Sequence, residues 1–308
     1  MAKLSKAKSK WALWATSSPT SNADFRAGLK RLRELKIGIF IPRPTAKFAT
    51  KKESAARPFL AGPDSAKVQA LKDILKLGTV ENVFTTRGGY GGLRLIPLID
   101  RLAIRGRRLR IWGFSDLTTI QNYFYLRFGW DWVHSPMLMS QAFNRPTGRE
   151  KTAWTAMTKG GPAEMSFRLK HVGGAPLRRD LTAPLLGGNL TCLNSLLVMP
   201  GFRPPKRRFI LFLEDLNEKG YRLDRNLVQL AQSDYLAKCD AVTLGHFTDC
   251  PGHLQILRAW AKENKLPLFT GVPAGHQSEN VPLWMGKPVR LTRARGVGIL
   301  TVPLPPIR

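Results

Sequence analysis

The first half of the chain alternates short apolar runs with segments in which apolar residues recur at helical spacing. The apolar runs lie at 11–15, 37–41, 83–86 and 109–112. The helical spacing between them is carried by Phe25, Leu29, Leu32 and Leu35, by Val68, Leu71, Ile74 and Leu75, and by Leu93, Leu95, Leu98 and Ile99. Strands that alternate with helices predict an α/β fold with a parallel sheet and crossover helices.

The pattern changes after Trp132. Residues 146–162 are polar, contain Gly and Pro and show no clear periodicity, which predicts a linker or flap. Strand-like runs then dominate, at 166–171, 209–213, 241–244, 266–269 and 298–302, with helical patterns at 190–199, 223–232 and 251–262. At 308 residues the chain exceeds the usual size of one domain. We therefore predict an N-terminal α/β domain over 1–150, a linker or flap region over 151–180 and a strand-rich mixed α/β domain over 181–308.

A candidate nucleophile, Ser115, lies where the fourth apolar run meets a helical segment. The run ends at Gly113, and the helical pattern continues through Tyr123. A sharp turn from strand to helix exposes its central residue beside free backbone N–H groups, which suits a nucleophilic serine and its oxyanion. Serine is also a favoured helix N-cap, and Leu117 stands where a G-x-S-x-G elbow has its second glycine. From these residues alone, Ser115 is either a nucleophile or a cap.

A glycine-rich turn over 87–92 follows the third apolar run. It lacks the G-K-[ST] ending of a Walker loop and the spacing of G-x-G-x-x-G. Its glycines allow backbone N–H groups to approach a ligand closely, although an ordinary tight turn has the same composition. The carboxyl ends of parallel strands meet at one edge of a sheet. This placement allows the turn and Ser115 to share one crevice.

An acid and a histidine in the second half complete a set of candidates for acyl transfer. Glu214 and Asp215 follow the apolar run 209–213, where helix capping or solvation is the simpler interpretation. His276 lies in a glycine-containing loop after a strand, although an isolated loop histidine is more often a surface residue. The chain order serine, acid, histidine is one that catalytic triads use. No histidine pair has the spacing of a zinc helix, so we expect no metal site.

Positive charge is the unusual feature of the composition. The chain has 49 Lys and Arg against 21 Asp and Glu, a net charge of +28. The basic residues are spread along the chain and accompany no nucleic-acid motif, so we expect no specific nucleic-acid partner. A protein that binds polyanions through its charge remains an alternative. The densest basic clusters are Arg101, Arg105, Arg107, Arg108 and Arg110, and Lys206, Arg207 and Arg208.

The same composition bears on cellular location. No apolar run approaches the length needed to span a bilayer. The lysine-rich tail 1–10 is followed by an apolar run that is too short for the core of a signal peptide. Cys192, Cys239 and Cys250 lack metal-ligand spacing and fit reduced thiols. We expect a cytoplasmic protein that does not associate with a membrane.

Five short motifs occur in order along nearly the whole chain. They are Arg87-Gly-Gly-Tyr-Gly, Gly113-Phe-Ser-Asp-Leu-Thr, Gly187-Gly-Asn-Leu, Leu213-Glu-Asp and Gly275-His. Together they resemble the LD-carboxypeptidase (muramoyltetrapeptide carboxypeptidase) family of serine peptidases, which also includes the microcin C immunity proteins. The resemblance implies an active site between an α/β N-terminal domain and a β-rich C-terminal domain. By position it implies that Ser115 is the nucleophile, His276 the base and Glu214 its orienting acid, with the backbone N–H groups of Gly89 and Asp116 as the oxyanion hole.

The resemblance also implies a reaction. Such an enzyme is a cytoplasmic serine carboxypeptidase that cleaves the L–D bond of murein tetrapeptides and releases terminal D-Ala during peptidoglycan recycling. It needs no metal or cofactor and is commonly a homodimer. Residues 85–86 and 281–286 depart from the family pattern, which leaves the substrate preference open. The alternatives are a microcin C-type immunity hydrolase of peptidyl-nucleotides and a basic polyanion-binding protein with a vestigial triad.

Overall fold

The computed structural model describes residues 9–102, 104, 106–159, 161, 163–294 and 297–307. Most of the predicted basic tail and Arg105 of the basic cluster lie outside the described residues. The strands are β1 (Trp11–Trp14), β2 (Ile39–Phe40), β3 (Asn82–Thr85), β4 (Arg110–Gly113), β5 (Trp132–His134), β6 (Glu164–Gly173), β7 (Leu181–Asn189), β8 (Phe209–Leu216), β9 (Cys239–Thr248), β10 (Leu268–Thr270), β11 (Leu283–Met285), β12 (Pro288–Ala294) and β13 (Val297–Pro303). The helices are α1 (Asn22–Glu34), α2 (Arg43–Phe48), α3 (Asp64–Lys76), α4 (Gly92–Asp100), α5 (Leu117–Phe128), α6 (Gln141–Asn144), α7 (Gly148–Lys159), α8 (Leu190–Leu197), α9 (Gly220–Gln232) and α10 (His253–Glu263). A 3-10 helix spans Asp234–Lys238. None of the described helices combines the length and the apolar character that crossing a membrane requires.

One sheet has the strand order β11-β5-β4-β3-β1-β2. Strands β1 to β5 are parallel to their neighbours, and β11 is antiparallel to β5 at one edge. Along β1, Trp11 and Leu13 join one core cluster, whereas Ala12 and Trp14 join another. Both faces of the strand are therefore buried, as a parallel sheet covered by crossover helices requires. The predicted parallel α/β sheet is confirmed.

The strands of the second half form a closed sheet in the order β10-β6-β13-β12-β7-β8-β9. Strands β7, β8, β9 and β10 run parallel to one another. Strands β6, β12 and β13 are antiparallel to their neighbours. The apolar run 209–213 of β8 is completely buried and supplies the core of this sheet. The predicted strand-rich mixed α/β half is confirmed.

The region 151–180, for which the sequence predicts a linker or flap, contains most of α7 and all of β6. Helix α7 buries Ala153, Trp154 and Met157, and β6 pairs with β13 in the closed sheet. The helical pattern of α7 is weak in the sequence because two of its buried positions, Glu150 and Thr158, are polar. Their hydrogen bonds make that burial possible, and periodicity does not reveal them.

The two sheets meet along α5, the helix that follows Ser115. The Asn122 side chain donates a hydrogen bond to the carbonyl oxygen of Gly187 on β7 at 2.9 Å. The Asn189 amide donates to Thr118 Oγ1 at 3.1 Å. Strand β11 adds a second connection, since it lies between β10 and β12 of the closed sheet in the chain but pairs with β5. The junction therefore lies beside the turn that carries the candidate nucleophile.

Candidate active site

Ser115 occupies a strained turn between β4 and α5. Its φ is 63°, in the left-handed region that residues other than glycine rarely adopt. Asp116 occupies the N-cap position of α5 and makes no capping bond through its side chain. Ser115 is therefore not the helix cap, which was the alternative interpretation of this residue. A strained, partly exposed serine at the end of a parallel strand has the geometry of a nucleophile elbow.

The glycine-rich turn lies directly against this elbow. A Cβ built on Gly88 would stand 3.1 Å from Ser115 Cβ and 3.4 Å from its Oγ. Gly89 has a φ of 100°, and a Cβ there would stand 2.3 Å from Ser18 Oγ. Within the described part of the chain, neither the Gly89 amide nor the Asp116 amide donates a hydrogen bond to another protein group. Both N–H groups are thus available to a ligand oxygen.

The buried carboxylate of Asp116 joins the elbow to the glycine-rich turn. Its Oδ2 accepts hydrogen bonds from Ser17 Oγ at 2.5 Å and from the Gly92 amide at 2.7 Å. Burial raises the pKa of Asp116, although these two donors and the charge of the buried Lys67 oppose the rise. The carboxylate fixes the start of α4 relative to the start of α5. The turn and the elbow therefore form one rigid unit.

The predicted acid and histidine are in contact. Glu214 lies on β8 with a fully buried side chain, and its Oε2 is 2.7 Å from His276 Nδ1. A protonated Nδ1 donates this hydrogen bond, which leaves Nε2 as the nitrogen that can accept a proton. Asp215 instead accepts hydrogen bonds from Asn189 Nδ2 and from the Thr191 amide, so it holds the start of α8.

The ionisation of this pair is set by competition between burial and charge. Burial raises the pKa of Glu214, but the charge of His276 and contact with His134 outweigh it and lower the pKa to about 2. Burial lowers the pKa of His276, but Glu214 outweighs it and raises that pKa above 6.5. Glu214 is therefore ionised at neutral pH, and His276 is a stronger base than an isolated histidine.

Phe114 links the histidine to the elbow. It immediately precedes Ser115, and its ring centroid is 4.8 Å from that of His276. The hydrogen bonds of the described residues do not include one between Ser115 Oγ and His276. In serine hydrolases without substrate this bond is often long and shortens only in the reacting complex. The structure thus places the glycine-rich turn against Ser115 and the Glu214–His276 pair against Phe114, the residue that precedes the serine.

The loop that carries His276 is held from two sides. Its Gly275 amide donates to Asn280 Oδ1 at 3.2 Å, and the Asn280 amide donates to the buried Glu150 carboxylate at the start of α7. The following segment 281–286, which departs from the family pattern, contains β11 and pairs with the N-terminal sheet. This pairing anchors the end of the histidine loop to the six-stranded sheet.

A second histidine lies beside Glu214. His134, at the end of β5, is 1% exposed and its Nε2 is 4.0 Å from Glu214 Oε1. It belongs to none of the five motifs, although its position at the carboxyl end of a parallel strand is a signal for a site residue. Across the described ranges, no group of three or more His, Cys, Asp or Glu side chains is arranged to hold a metal ion.

Comparison with known proteins places these motifs in a family. The models of the LD-carboxypeptidase N-terminal domain and C-terminal domain match residues 12–135 and 182–291. A murein tetrapeptide carboxypeptidase of Pseudomonas aeruginosa is 31% identical over 236 residues, which cover 72% of this chain and 76% of that protein.

Solved structures share the fold. The crystal structure of muramoyltetrapeptide carboxypeptidase from Oxalobacter formigenes matches with a TM-score of 0.77 at 24% identity, over 95% of this chain and 99% of that one. The structure of MccF, a microcin C7 self immunity protein, in complex with glutamyl sulfamoyl guanosine matches with a TM-score of 0.77 at 17% identity, over 96% of each chain.

Proposed function

Because this chain belongs to the LD-carboxypeptidase family, we propose that it is a serine peptidase that cleaves the L–D bond of murein tetrapeptides and releases terminal D-Ala. The observation that carries the proposal is the junction of three parts: a strained serine, the free amides of Gly89 and Asp116, and a histidine paired with a fully buried glutamate. The proposed setting is peptidoglycan recycling in the cytoplasm, and the proposed assembly is a homodimer.

In the proposed mechanism His276 Nε2 takes the proton of Ser115 Oγ while the oxygen attacks the carbonyl carbon of the L-centre residue. The amides of Gly89 and Asp116 donate hydrogen bonds to the oxyanion that forms. Glu214 stabilises the imidazolium because its carboxylate keeps its charge in the buried site. His276 then gives its proton to the nitrogen of the departing D-Ala, and the C–N bond breaks.

Water completes the proposed cycle. His276 Nε2 takes a proton from a water molecule, and the hydroxide oxygen attacks the ester carbon of the acyl-enzyme. Collapse of the second tetrahedral intermediate releases the tripeptide carboxylate and returns the proton to Ser115 Oγ. Each step uses side chains and backbone amides of this chain alone.

The test is D-Ala release from a murein tetrapeptide by the wild-type protein and by Ser115→Ala. We expect release by the wild type and a loss of about a thousandfold or more in the variant. Ser54→Ala, at an exposed serine outside the site, is the matched control and should keep full activity. A tetrapeptide that ends in L-Ala should not be hydrolysed. Activity of Ser115→Ala equal to the wild type would refute the assignment of the nucleophile.

A second candidate activity is hydrolysis of a peptidyl-nucleotide. It is favoured by the shared fold with MccF, whose structure holds glutamyl sulfamoyl guanosine. Supplying both substrates to the enzyme separates the two activities, because the preferred substrate should have the larger kcat/KM.

The polyanion-binding alternative predicts tight binding with a steep salt dependence, so weak binding of DNA and wall polymer at physiological salt would eliminate it.

A further inference from the structure

A second histidine faces the proposed catalytic acid from the opposite sheet. His134 ends β5 and pairs in register with Gly113, two residues before Ser115. Its imidazole lies between Phe114, whose ring centroid is 5.4 Å away, and Phe212 of β8, at 5.1 Å. The side chain thus crosses from the six-stranded sheet to the strand that carries Glu214.

The polar atoms on both sides of this contact lack other partners. Glu214 uses Oε2 for His276, while its Oε1 has no hydrogen-bond partner among the described residues. Neither ring nitrogen of His134 has one in the same part of the chain. The two unpaired groups face each other, with Nε2 and Oε1 4.0 Å apart. Buried polar groups without hydrogen bonds are rare and costly, so a shift of about 1 Å that joins them is favourable.

We propose that His134 is a positioning residue for Glu214: its Nε2–H donates a hydrogen bond to Oε1 and fixes the carboxylate between two imidazoles. The inference rests on the proposed function, because its effect on catalysis passes through the Glu214–His276 pair. The proton is on Nε2, since a lone pair there would point at the carboxylate. The Nε2–H tautomer fits the surroundings, because a proton on Nδ1 would be buried among Phe114 and Phe212 without an acceptor in the described residues.

The hydrogen bond from His134 to Glu214 has two effects on the site. With one imidazole on each oxygen, the carboxylate of Glu214 cannot rotate about its last torsion without losing both contacts. The second oxygen of Glu214 thereby stays directed at the imidazole of His276. His134 also belongs to the sheet that carries Ser115, whereas Glu214 belongs to the closed sheet. The hydrogen bond therefore fixes the acid relative to the nucleophile across the junction.

The kinetic test compares His134→Gln with His134→Leu in D-Ala release. The amide of Gln retains an N–H donor for Oε1, and Leu does not. We expect His134→Leu to lower kcat about 10-fold to 100-fold with KM within about twofold, because the acid is misplaced while substrate contacts remain. His134→Gln should recover most of kcat. His171→Leu, on β6 away from the site, is the matched control and should retain wild-type kinetics.

Two kinetic outcomes overturn the inference. One is full kcat in His134→Leu, and the other is an equal loss in the Gln and Leu variants when both have the melting temperature of the wild type. The Gln variant keeps the test decisive if the Leu variant does not fold.

An NMR measurement tests the hydrogen bond without relying on activity. In protein labelled with ¹⁵N-histidine at pH 7, one ring should carry its proton on Nε2 and not on Nδ1, and its signals should disappear in His134→Gln. The Nδ1-protonated tautomer or a doubly protonated ring would overturn the inference. If the protein is inert on the peptide but shows the Nε2–H tautomer, the proposed function is refuted and this inference is not. If the protein is active but shows the other tautomer, this inference is refuted and the proposed function is not.

Discussion

Gly89 holds one of the two proposed oxyanion donors in a conformation that a side chain would disturb. Its φ is 100°, and a Cβ would stand 2.3 Å from Ser18 Oγ. We expect Gly89→Ala to lower kcat for D-Ala release about 100-fold or more, because the turn must shift and the amide then misses the oxyanion. KM should change much less, since the interaction forms mainly in the transition state. Steady-state kinetics on the tetrapeptide measure both.

Gly252 provides the matched control for Gly89. It also has a positive φ, of 72°, but a Cβ there would have no atom within 4 Å. Gly252→Ala therefore introduces backbone strain only, with an expected loss of about 1 kcal/mol in the free energy of unfolding and no change in kcat. A comparable fall of kcat in both variants would show that strain, and not the position of the Gly89 amide, causes the loss.

The proposed base predicts a pH dependence with a definite sign. His276 must be neutral to accept a proton, and Glu214 raises its pKa above 6.5. The value of kcat/KM should therefore fall as the pH drops below a midpoint above 6.5. In Glu214→Gln the charge that raises the pKa is lost, so the midpoint should move to lower pH and kcat should fall about a hundredfold or more. Rate profiles between about pH 5 and pH 9 measure both effects.

Glu218→Gln removes a nearby carboxylate that does not contact His276. Its profile should match that of the wild type, because the raised pKa of His276 is caused by Glu214, with a smaller effect from Asp215. If the midpoint of the fall in kcat/KM at low pH moved equally in the Glu218 and Glu214 variants, the general negative charge of the region would set the pKa of His276. The specific pairing of His276 with Glu214 would then be wrong.

At the scale of elements, α7 supports the histidine loop through a buried carboxylate. Glu150 is 1% exposed and accepts hydrogen bonds from the amides of Asn280 and Thr147. Glu150→Ala leaves the buried Asn280 amide unpaired, so we expect a loss of about 1–3 kcal/mol in the free energy of unfolding and a lower kcat. Urea denaturation and D-Ala release measure the two effects.

The neighbouring residue is a control for charge at the same helix end. Arg149 pairs with Glu279 through a largely exposed ion pair at 2.6 Å. Exposed pairs contribute little, so Arg149→Ala should cost less than about 1 kcal/mol and leave kcat unchanged. A larger destabilisation by Arg149→Ala than by Glu150→Ala would contradict the view that the buried acid holds the loop.

Elements with a strong local pattern were predicted well. β4, the turn at Ser115 and α5 follow from an apolar run, a glycine and a helical pattern that are adjacent in the sequence. The sequence does not predict helix α7, because its buried positions include the polar Glu150 and Thr158. Glu150 is paired with Asn280, which is distant in the sequence, and the Thr158 hydroxyl donates to the Trp154 carbonyl within the helix. Periodicity reports which residues are apolar, so it fails where hydrogen bonds allow polar residues to be buried.

At the scale of the whole molecule, the site is assembled from both halves of the chain. The Glu214–His276 contact joins residues 62 positions apart within the second half, and the approach of His134 to Glu214 links the two sheets. Spacing along the sequence does not reveal such pairs; the order of five motifs and the family resemblance selected the serine, acid and histidine. His134 belonged to no quoted motif, so only the packing of β5 against β8 identified it.

The net charge of +28 belongs to the molecule as a whole and predicts a salt dependence of substrate capture. A murein tetrapeptide with diaminopimelate at its third position has more carboxylates than ammonium groups and is anionic, so the positive field should speed its encounter with the enzyme at low ionic strength. We expect kcat/KM to fall about tenfold between about 20 mM and 500 mM NaCl, while kcat stays within about twofold, because salt screens the approach and not the buried Glu214–His276 pair. The same peptide with its side-chain carboxylates amidated should show a weaker dependence. A kcat/KM that is independent of salt would mean that the charge serves another purpose than substrate capture.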